Sequence, residues 1–261
     1  VTAGVRGLGW LVVGLVMLFL IGPFAVILLA GLSAGDTLAF PPQGISLRWV
    51  WHVLDSRTLH DAFALSFWLA VASTAAALLL GVPAAYALAR YPVPGAEAVR
   101  AVVTSPAIVP GLIVGLALLK YFVVPLGLPV AAALFAAHTA LLIPYAVRVV
   151  GASLANLGAD IEEAAVILGA SRVGAFARVV LPNIRSGVLA AFVLGFVTSF
   201  NQLPVSLFLT GPGVSTLPIE MLVQMEYTYD PSIAALSALL ALMSLVIVFA
   251  AERLLGLSRH M

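Results

Sequence analysis

Six stretches of this chain run without a single Asp, Glu, Lys or Arg for 19 residues or more: 7–35, 62–89, 101–119, 121–147, 186–219 and 231–251. Each exceeds the roughly 18 apolar residues that carry a helix across a bilayer. The next longest uncharged stretches, 37–47 and 149–159, have 11 residues each. In hydrocarbon every backbone N–H and C=O must be paired within its own segment, so such windows are helices and not loops. With 63% hydrophobic and 9% charged residues and a mean hydropathy of +1.17, the chain is far from a soluble domain, where about a quarter of residues are charged. The expectation is an all-α membrane protein with six transmembrane helices, at about 8–33, 62–89, 101–120, 128–148, 184–208 and 231–254, in a single domain over 1–261. The first window follows Arg6, but its apolar run is about twice a signal-peptide core, so it reads as a retained anchor helix.

Six spans put both termini on one side. Arg6, Arg90, Arg100, Arg148, Arg172, Arg178, Arg185, Arg253 and Arg259 gather there, against Arg48, Arg57 and Lys120 on the other. By the positive-inside rule both termini are cytoplasmic. In the first outer connection Leu47, Val50, Trp51 and Leu54 recur at helical spacing, which fits a short helix lying in the interface or a lid packed on the bundle. Pro106 and Pro110 should kink the third span, and Gly111 and Gly115 form a close-packing pair.

Several chemistries are excluded. Lys120 is the only lysine, and it lacks the glycine and hydroxyl neighbours of a P-loop, so nucleotide hydrolysis belongs to another polypeptide. No cysteine is present, which removes disulfides, thiolate metal sites and cysteine nucleophiles. His52, His60 and His260 are scattered among loops, so no metal set is expected, and no Ser/His/Asp set converges on a catalytic site. The net charge of +1 gives no reason to expect nucleic acid.

Between the fourth and fifth spans, about 152–182, lies a segment too polar to span. Leu154, Leu157, Ile161, Ala164, Ala165 and Leu168 form one apolar stripe at helical period. Gly169 suits the left-handed turn that ends such a helix, and Ser171 can cap a second helix reaching Val180. Pro182 sits where that helix gives way to the fifth span. The pattern is a helix–turn–helix elbow, either a docking surface or an ordinary loop. Inside the spans, His138 lies about 15 Å from Arg148 along its helix. It is either a functional ionisable group or a neutral histidine bonded to a neighbouring helix. Asn201 and Gln202 are adjacent amides in the outer third of the fifth window, costly toward lipid and therefore turned to the bundle interior, a partner or the pathway. Pro204 loosens the helix just after them.

The run Glu163-Ala164-Ala165, three residues, Gly169, nine residues, Val179-Val180-Leu181-Pro182 resembles the EAA signature of ABC-importer permeases. Ser66, Ser73, Gly81, Pro83, Ala85-Tyr86-Ala87 and Arg90 are similar to that family's second span. Pro106, Pro110 and Gly111 are similar to its third, and His138 with Pro144-Tyr145 to its fourth. The run from Phe200 to Phe208, with Gly211-Pro212-Gly213 and Thr216-Leu217-Pro218, resembles the spermidine/putrescine branch of the type I ABC-importer permeases. The resemblance implies a bacterial inner-membrane, multi-pass permease subunit forming half of a solute pathway. Its implied partners are two cytoplasmic ABC ATPase subunits carrying ATP and Mg, a second and non-identical permease, an extracytoplasmic solute-binding protein and the lipid bilayer. This chain is then no enzyme and holds no cofactor. Coupling to the ATPase is implied for Asp160, Glu162, Glu163, Ala164, Ala165, Leu168, Gly169, Ala170, Ser171, Phe176, Leu181 and Pro182. Candidates for the substrate pathway are His138, Ser199, Phe200, Asn201, Gln202 and Pro204. The implied solute is a polyamine or related small amine. Where that branch usually carries acidic residues this chain has Asn201 and Gln202, which leaves open an amino acid-like, zwitterionic or anionic solute. A secondary transporter would need carboxylates inside the spans, and an intramembrane enzyme a convergent constellation; the sequence offers neither.

Overall fold

The computed structural model describes residues 3–228 and 230–255; the expectations placed on Arg259 and His260 lie outside them. Twelve helical segments follow one another among the described residues: α1 Ala3–Gly31, α2 Arg48–Asp55, α3 Arg57–Arg90, α4 Ala96–Ala107, α5 Gly111–Leu126, α6 Val130–Leu157, α7 Asp160–Ile167, α8 Arg172–Asn183, α9 Arg185–Phe200, α10 Leu203–Ser206, α11 Leu217–Tyr227 and α12 Ser232–Leu255. They fall into two compact units, one from residues up to Asp61 together with Glu220–Phe249, the other from Ala62–Ile219 with the end of α12.

In the first unit α1 is apolar on every side and almost wholly exposed, the condition of a helix whose solvent is lipid. At its end the backbone comes against α12: a Cβ on Gly31 would stand 2.7 Å from the Ala235 nitrogen. Arg48 pairs with Asp36, and both Arg48 (2.9 Å) and Trp49 (3.0 Å) donate to the Gly35 carbonyl, which holds the start of α2 in place. Val53 is the buried residue of α2, while Leu47, Trp51 and Leu54 stay exposed. Val50, the fourth residue of that spacing, is half-buried and lines an apolar pocket with Leu28, Leu32 and Ala235, so both the interfacial helix and the lid stay open.

The second unit is organised on α6, whose residues Ala133, Leu134, Ala137, Leu141, Val147, Val150 and Leu154 are all buried. Small residues let its neighbours approach. A Cβ on Gly81 of α3 would lie 2.6 Å from the Ala146 Cβ, and one on Gly195 of α9 would lie 2.8 Å from Thr74 of α3.

Among the described residues three helices are long and apolar enough to cross a membrane: Gly7–Gly31, Arg57–Arg90 and Val130–Leu157. The third and fifth windows, expected as single spans at 101–120 and 184–208, are each divided into two helices that meet at a steep angle. α4 and α5 meet at 86°, and α5 runs past Lys120 to Leu126. Pro106 and Pro110 remove two donors within four residues, which produces a corner where the sequence suggested a kink. α8 and α9 meet at 68°, and α9 stops at Phe200 instead of running to 208. Pro204 has no N–H for the Phe200 carbonyl, and its ring crowds that carbonyl, so the chain restarts as the short α10. The last window forms α12, with an apolar stretch over Ser232–Ile247.

Gly111 and Gly115 pack α5 directly on α10. A Cβ on Gly111 would meet Val205 Cγ2 at 3.0 Å, and one on Gly115 would run into the Val205 carbonyl. Gly115→Leu therefore forces α10 away from α5, an overpacking cost of about 1–3 kcal/mol. The expected result is a lower melting temperature in detergent, with Gly111→Ala much milder; equal melting of Gly115→Leu and the parent chain would contradict this packing.

Candidate functional site

The elbow is built from two left-handed glycines. Gly158, at φ 75°, ends α6, and Gly169, at φ 97°, ends α7; both values are easy only for a residue without Cβ. The Ala170 N–H closes the second turn on the Ala165 carbonyl at 3.0 Å. Ser171 caps α8 by accepting the Gly174 N–H at 3.1 Å. Asp160, Glu162 and Glu163 fill the first turn of α7, where the helix dipole favours negative charge.

The single apolar stripe expected from Leu154 to Leu168 does not exist. Leu154 is fully buried, whereas Leu168 is 87% exposed. The break at Gly158 resets the helical phase, so α7 turns a different face inward. Ile167 (84%), Leu168 and Val173 (78%) stand outward around Gly169. Glu163 and Ala164 are exposed beside them, with Ala165 and Ala170 half-buried and Leu181 and Pro182 on the surface of α8.

The inward place is taken by Glu162. Its carboxylate pairs with Arg90 at 3.2 Å, with side chains only 7% and 10% exposed, and accepts a hydrogen bond from the Tyr86 hydroxyl. Arg90 also donates to the carbonyls of Leu154 (3.2 Å) and Gly158, the end of α6. Phe176 of α8 packs on the Tyr86 ring, centroids 4.6 Å apart. One guanidinium thus joins α3, α6 and α7 through the orphan carbonyls that any helix end leaves. Glu162 is thus paired inside the unit, while its neighbour Glu163 stays on the surface. The missed signal is that Glu162 lies off the α7 face that carries Asp160 and Glu163.

A second buried constellation surrounds His138, which is 2% exposed. Its Nδ1 lies 2.8 Å from Ser199 Oγ and its Nε2 3.3 Å from Ser206 Oγ. Ser199 in turn meets Ser73 at 3.1 Å, and Ser206 donates to the Gln202 carbonyl at 2.8 Å. The chain of contacts ties α3, α6, α9 and α10 across the break in the fifth window. Both ring nitrogens are engaged, the arrangement of a histidine bonded to neighbouring helices. Phe200 is buried against Phe63 and Phe196. Asn201 is exposed, its amide donating to the Val197 carbonyl at 2.9 Å. Gln202 and Pro204 line a cavity of about 180 Å³ with Tyr145, Thr198 and Pro106. Of the six pathway candidates, Gln202 and Pro204 are the two on this cavity.

Residues 77–258 match the family of binding-protein-dependent transport system inner membrane components. The chain belongs to that family. The permease is 31% identical over 204 residues to the Putrescine transport system permease protein PotI of Escherichia coli K12, covering 76% of this chain and 73% of PotI. It is 30% identical over 211 residues to the Spermidine/putrescine transport system permease protein PotC of the same organism, covering 80% of each. It is also 32% identical over 230 residues to the Molybdenum transport system permease protein ModB of Mycobacterium bovis, covering 81% of this chain and 87% of ModB. Its fold matches a bacterial ABC transporter involved in the import of the acidic polysaccharide alginate, with a TM-score of 0.70 over 98% of both chains at 16% identity. The chain is thus a membrane-embedded ABC-importer permease subunit.

The Arg90–Glu162 pair of this permease carries a direct test. Removing one partner of a buried pair strands the other, at about 3–5 kcal/mol, whereas replacing both with apolar groups is often neutral. Arg90→Met and Glu162→Leu should each lower the melting temperature clearly, and the double variant should lose less than the sum of the two, though not nothing, because the Leu154 and Gly158 carbonyls stay without their donor. Additive losses in the double variant would show that the two side chains do not act as a pair.

Proposed function

We propose that this permease forms half of the membrane pathway of an ATP-driven importer and that α7 and α8 are where a separate ATPase engages it. The observation that carries this is the elbow itself. It presents Ile167, Leu168 and Val173 outward while Glu162 anchors its other face to Arg90. An apolar ridge exposed at the polar end of a bundle is costly unless a partner covers it, and the anchor would turn a push on the ridge into a displacement of α3 and α6. On this reading the surface residues Asp160, Glu163, Ala164, Leu168, Ser171, Leu181 and Pro182 meet the ATPase. Ala165, Gly169, Ala170 and Phe176 give the elbow its shape, and Glu162 fixes it to the bundle. ATP and Mg belong to the ATPase, which the missing P-loop requires of any ATP-driven arrangement.

The fuller reading has six crossings, two of them through the bent pairs α4–α5 and α8–α9, with both termini and the elbow cytoplasmic. A single domain serves this role, paired with a second, non-identical permease, two ATPases and an extracytoplasmic solute-binding protein. The cavity beside Gln202 supports the need for a second permease. At about 180 Å³ it is smaller than the roughly 300–1,000 Å³ of a complete small-molecule site. We place the solute among polyamines and related small amines, supported by the names of PotI and PotC. The neutral amides at Asn201 and Gln202 and the match to ModB favour, as the second reading, a solute without net positive charge. His138, Ser199 and Phe200 serve the pathway by holding its wall.

Gly169→Val tests the coupling role. No atom lies within 4 Å of a Cβ there, so the fault would be the left-handed backbone alone. The assembled importer carrying it should lose ATP-driven uptake while the subunit stays in the membrane; uptake and ATPase stimulation at the parent rate would remove the elbow from the mechanism. Solute class is read by uptake of labelled putrescine, spermidine and molybdate. Gln202→Leu should lower transport of whichever is carried, and introducing a carboxylate with Asn201→Asp should shift preference toward the cations. Unchanged uptake in both variants would take the amides out of the pathway.

A further inference from the structure

A cavity of about 620 Å³ opens between the Arg90 end of α3, α4 and the second half of α6. Its lining includes three guanidinium-bearing residues, Arg90, Arg100 and Arg148, with Thr104 beside them and no carboxylate. Arg90 is neutralised by Glu162 from the neighbouring cleft. Arg100 has one long bond to the Leu88 carbonyl, 3.3 Å. Arg148 is exposed and makes no hydrogen bond or ion pair among the described residues. Two cationic side chains therefore converge on a space without a counter-ion. The remaining lining is apolar, made of alanines with Leu88, Val147 and Gly151. At Gly151 nothing stands within 4 Å of where a Cβ would be, so this wall faces open space.

We infer that this cavity binds the phosphate headgroup of an anionic membrane lipid. Guanidinium groups pair with phosphate in a planar two-bond geometry that no neutral side chain reproduces. A soluble anion would need polar walls around its remaining oxygens. Here the walls are methyl groups at the end of membrane-crossing helices, which suit the glycerol and upper acyl carbons of a lipid. Basic pockets between spans are a known setting for such headgroups. The positive-inside bias alone accounts for arginines at this end of the bundle, but not for two unpaired ones turned to a single carboxylate-free cavity. The inference needs only that the chain is embedded in a membrane; it does not depend on the solute, the orientation or the elbow.

The full chain, purified from bacterial membranes with its accompanying subunits, is equilibrated with mixed phosphatidylcholine–phosphatidylglycerol micelles and then washed with phosphatidylcholine alone. Retained phosphatidylglycerol is counted by mass spectrometry. Arg100→Gln and Arg148→Gln should each lower retention about five-fold, the factor matching roughly 1 kcal/mol per basic residue near anionic lipid. Gly151→Phe fills the space without touching charge and should lower retention as well. Arg185→Gln, exposed on α9 and outside the lining, should leave it unchanged. Each variant is accepted only if its melting temperature stays near that of the parent chain, and if Gly151→Phe is not accepted Gly151→Leu takes its place. An equal fall with Arg185→Gln would reduce the effect to general surface charge and overturn the site. Displacement of the retained lipid by millimolar inorganic phosphate would assign the pocket to a soluble anion and overturn the lipid. Retention unaffected by any lining variant would overturn both.

Discussion

In a hydrocarbon solvent a peptide N–H or C=O without a partner costs several kcal/mol, and this constraint decides where the helices of the second unit are allowed to break. The fifth window stops at Phe200, yet the polar groups around the break are re-paired. Asn201 turns its own amide back onto the Val197 carbonyl, and Ser206 donates to the carbonyl of Gln202. His138 then spans from Ser199 on one side of the break to Ser206 on the other. A chain that needs an irregular wall near one end of a span meets the cost with short polar side chains turned inward. That is why a buried histidine and three serines occur together in a chain so poor in polar residues.

The same accounting explains the elbow's anchor. The end of α6 leaves carbonyls exposed at Leu154 and Gly158, and Arg90 answers both while Glu162 answers Arg90. The residue that satisfies a helix terminus is also the one that fixes α7 to α3. A rigid joint made this way has few soft degrees of freedom, since moving α7 alone would strip a buried charge of its partner.

The sequence carried the outline of this architecture through composition and punctuation. Uncharged windows located α1, α3, α6 and α12; Gly169 and Ser171 marked the turn and cap of the elbow; Gly111 and Gly115 marked a close approach whose partner, Val205, became visible only in three dimensions. What periodicity could not show was a change of phase. Leu154 to Leu168 matched one helical stripe because the stretch contains no proline, and Gly158 looked like one more small residue; its φ of 75° splits the stripe and brings Glu162 inward. The prolines were legible as breakers but not in magnitude. A single span with a kink and a corner of 86° share the same letters, and tertiary packing against α10 decides between them. Arg90 and Glu162 are 72 residues apart, a separation across which one sequence gives no pairing signal.

The amides at the break bear on how such a permease would choose its solute. One N–H of the Asn201 amide is committed to a backbone carbonyl, so what the residue still offers is its neutral oxygen and one N–H. Gln202, on the cavity with Tyr145 and Thr198, brings an amide that donates or accepts as needed. Neutral groups of this kind stabilise a charged solute about half as well as a charge-assisted bond would, and they discriminate poorly between cation and anion because rotating an amide exchanges one role for the other. If this wall belongs to the proposed pathway, strong charge selection has to come from outside it. A pathway lined this way gains something in return. Weak, sign-tolerant contacts hold a delivered molecule too loosely to trap it, and a conduit that must release its cargo on every cycle works better with such contacts than with a buried carboxylate.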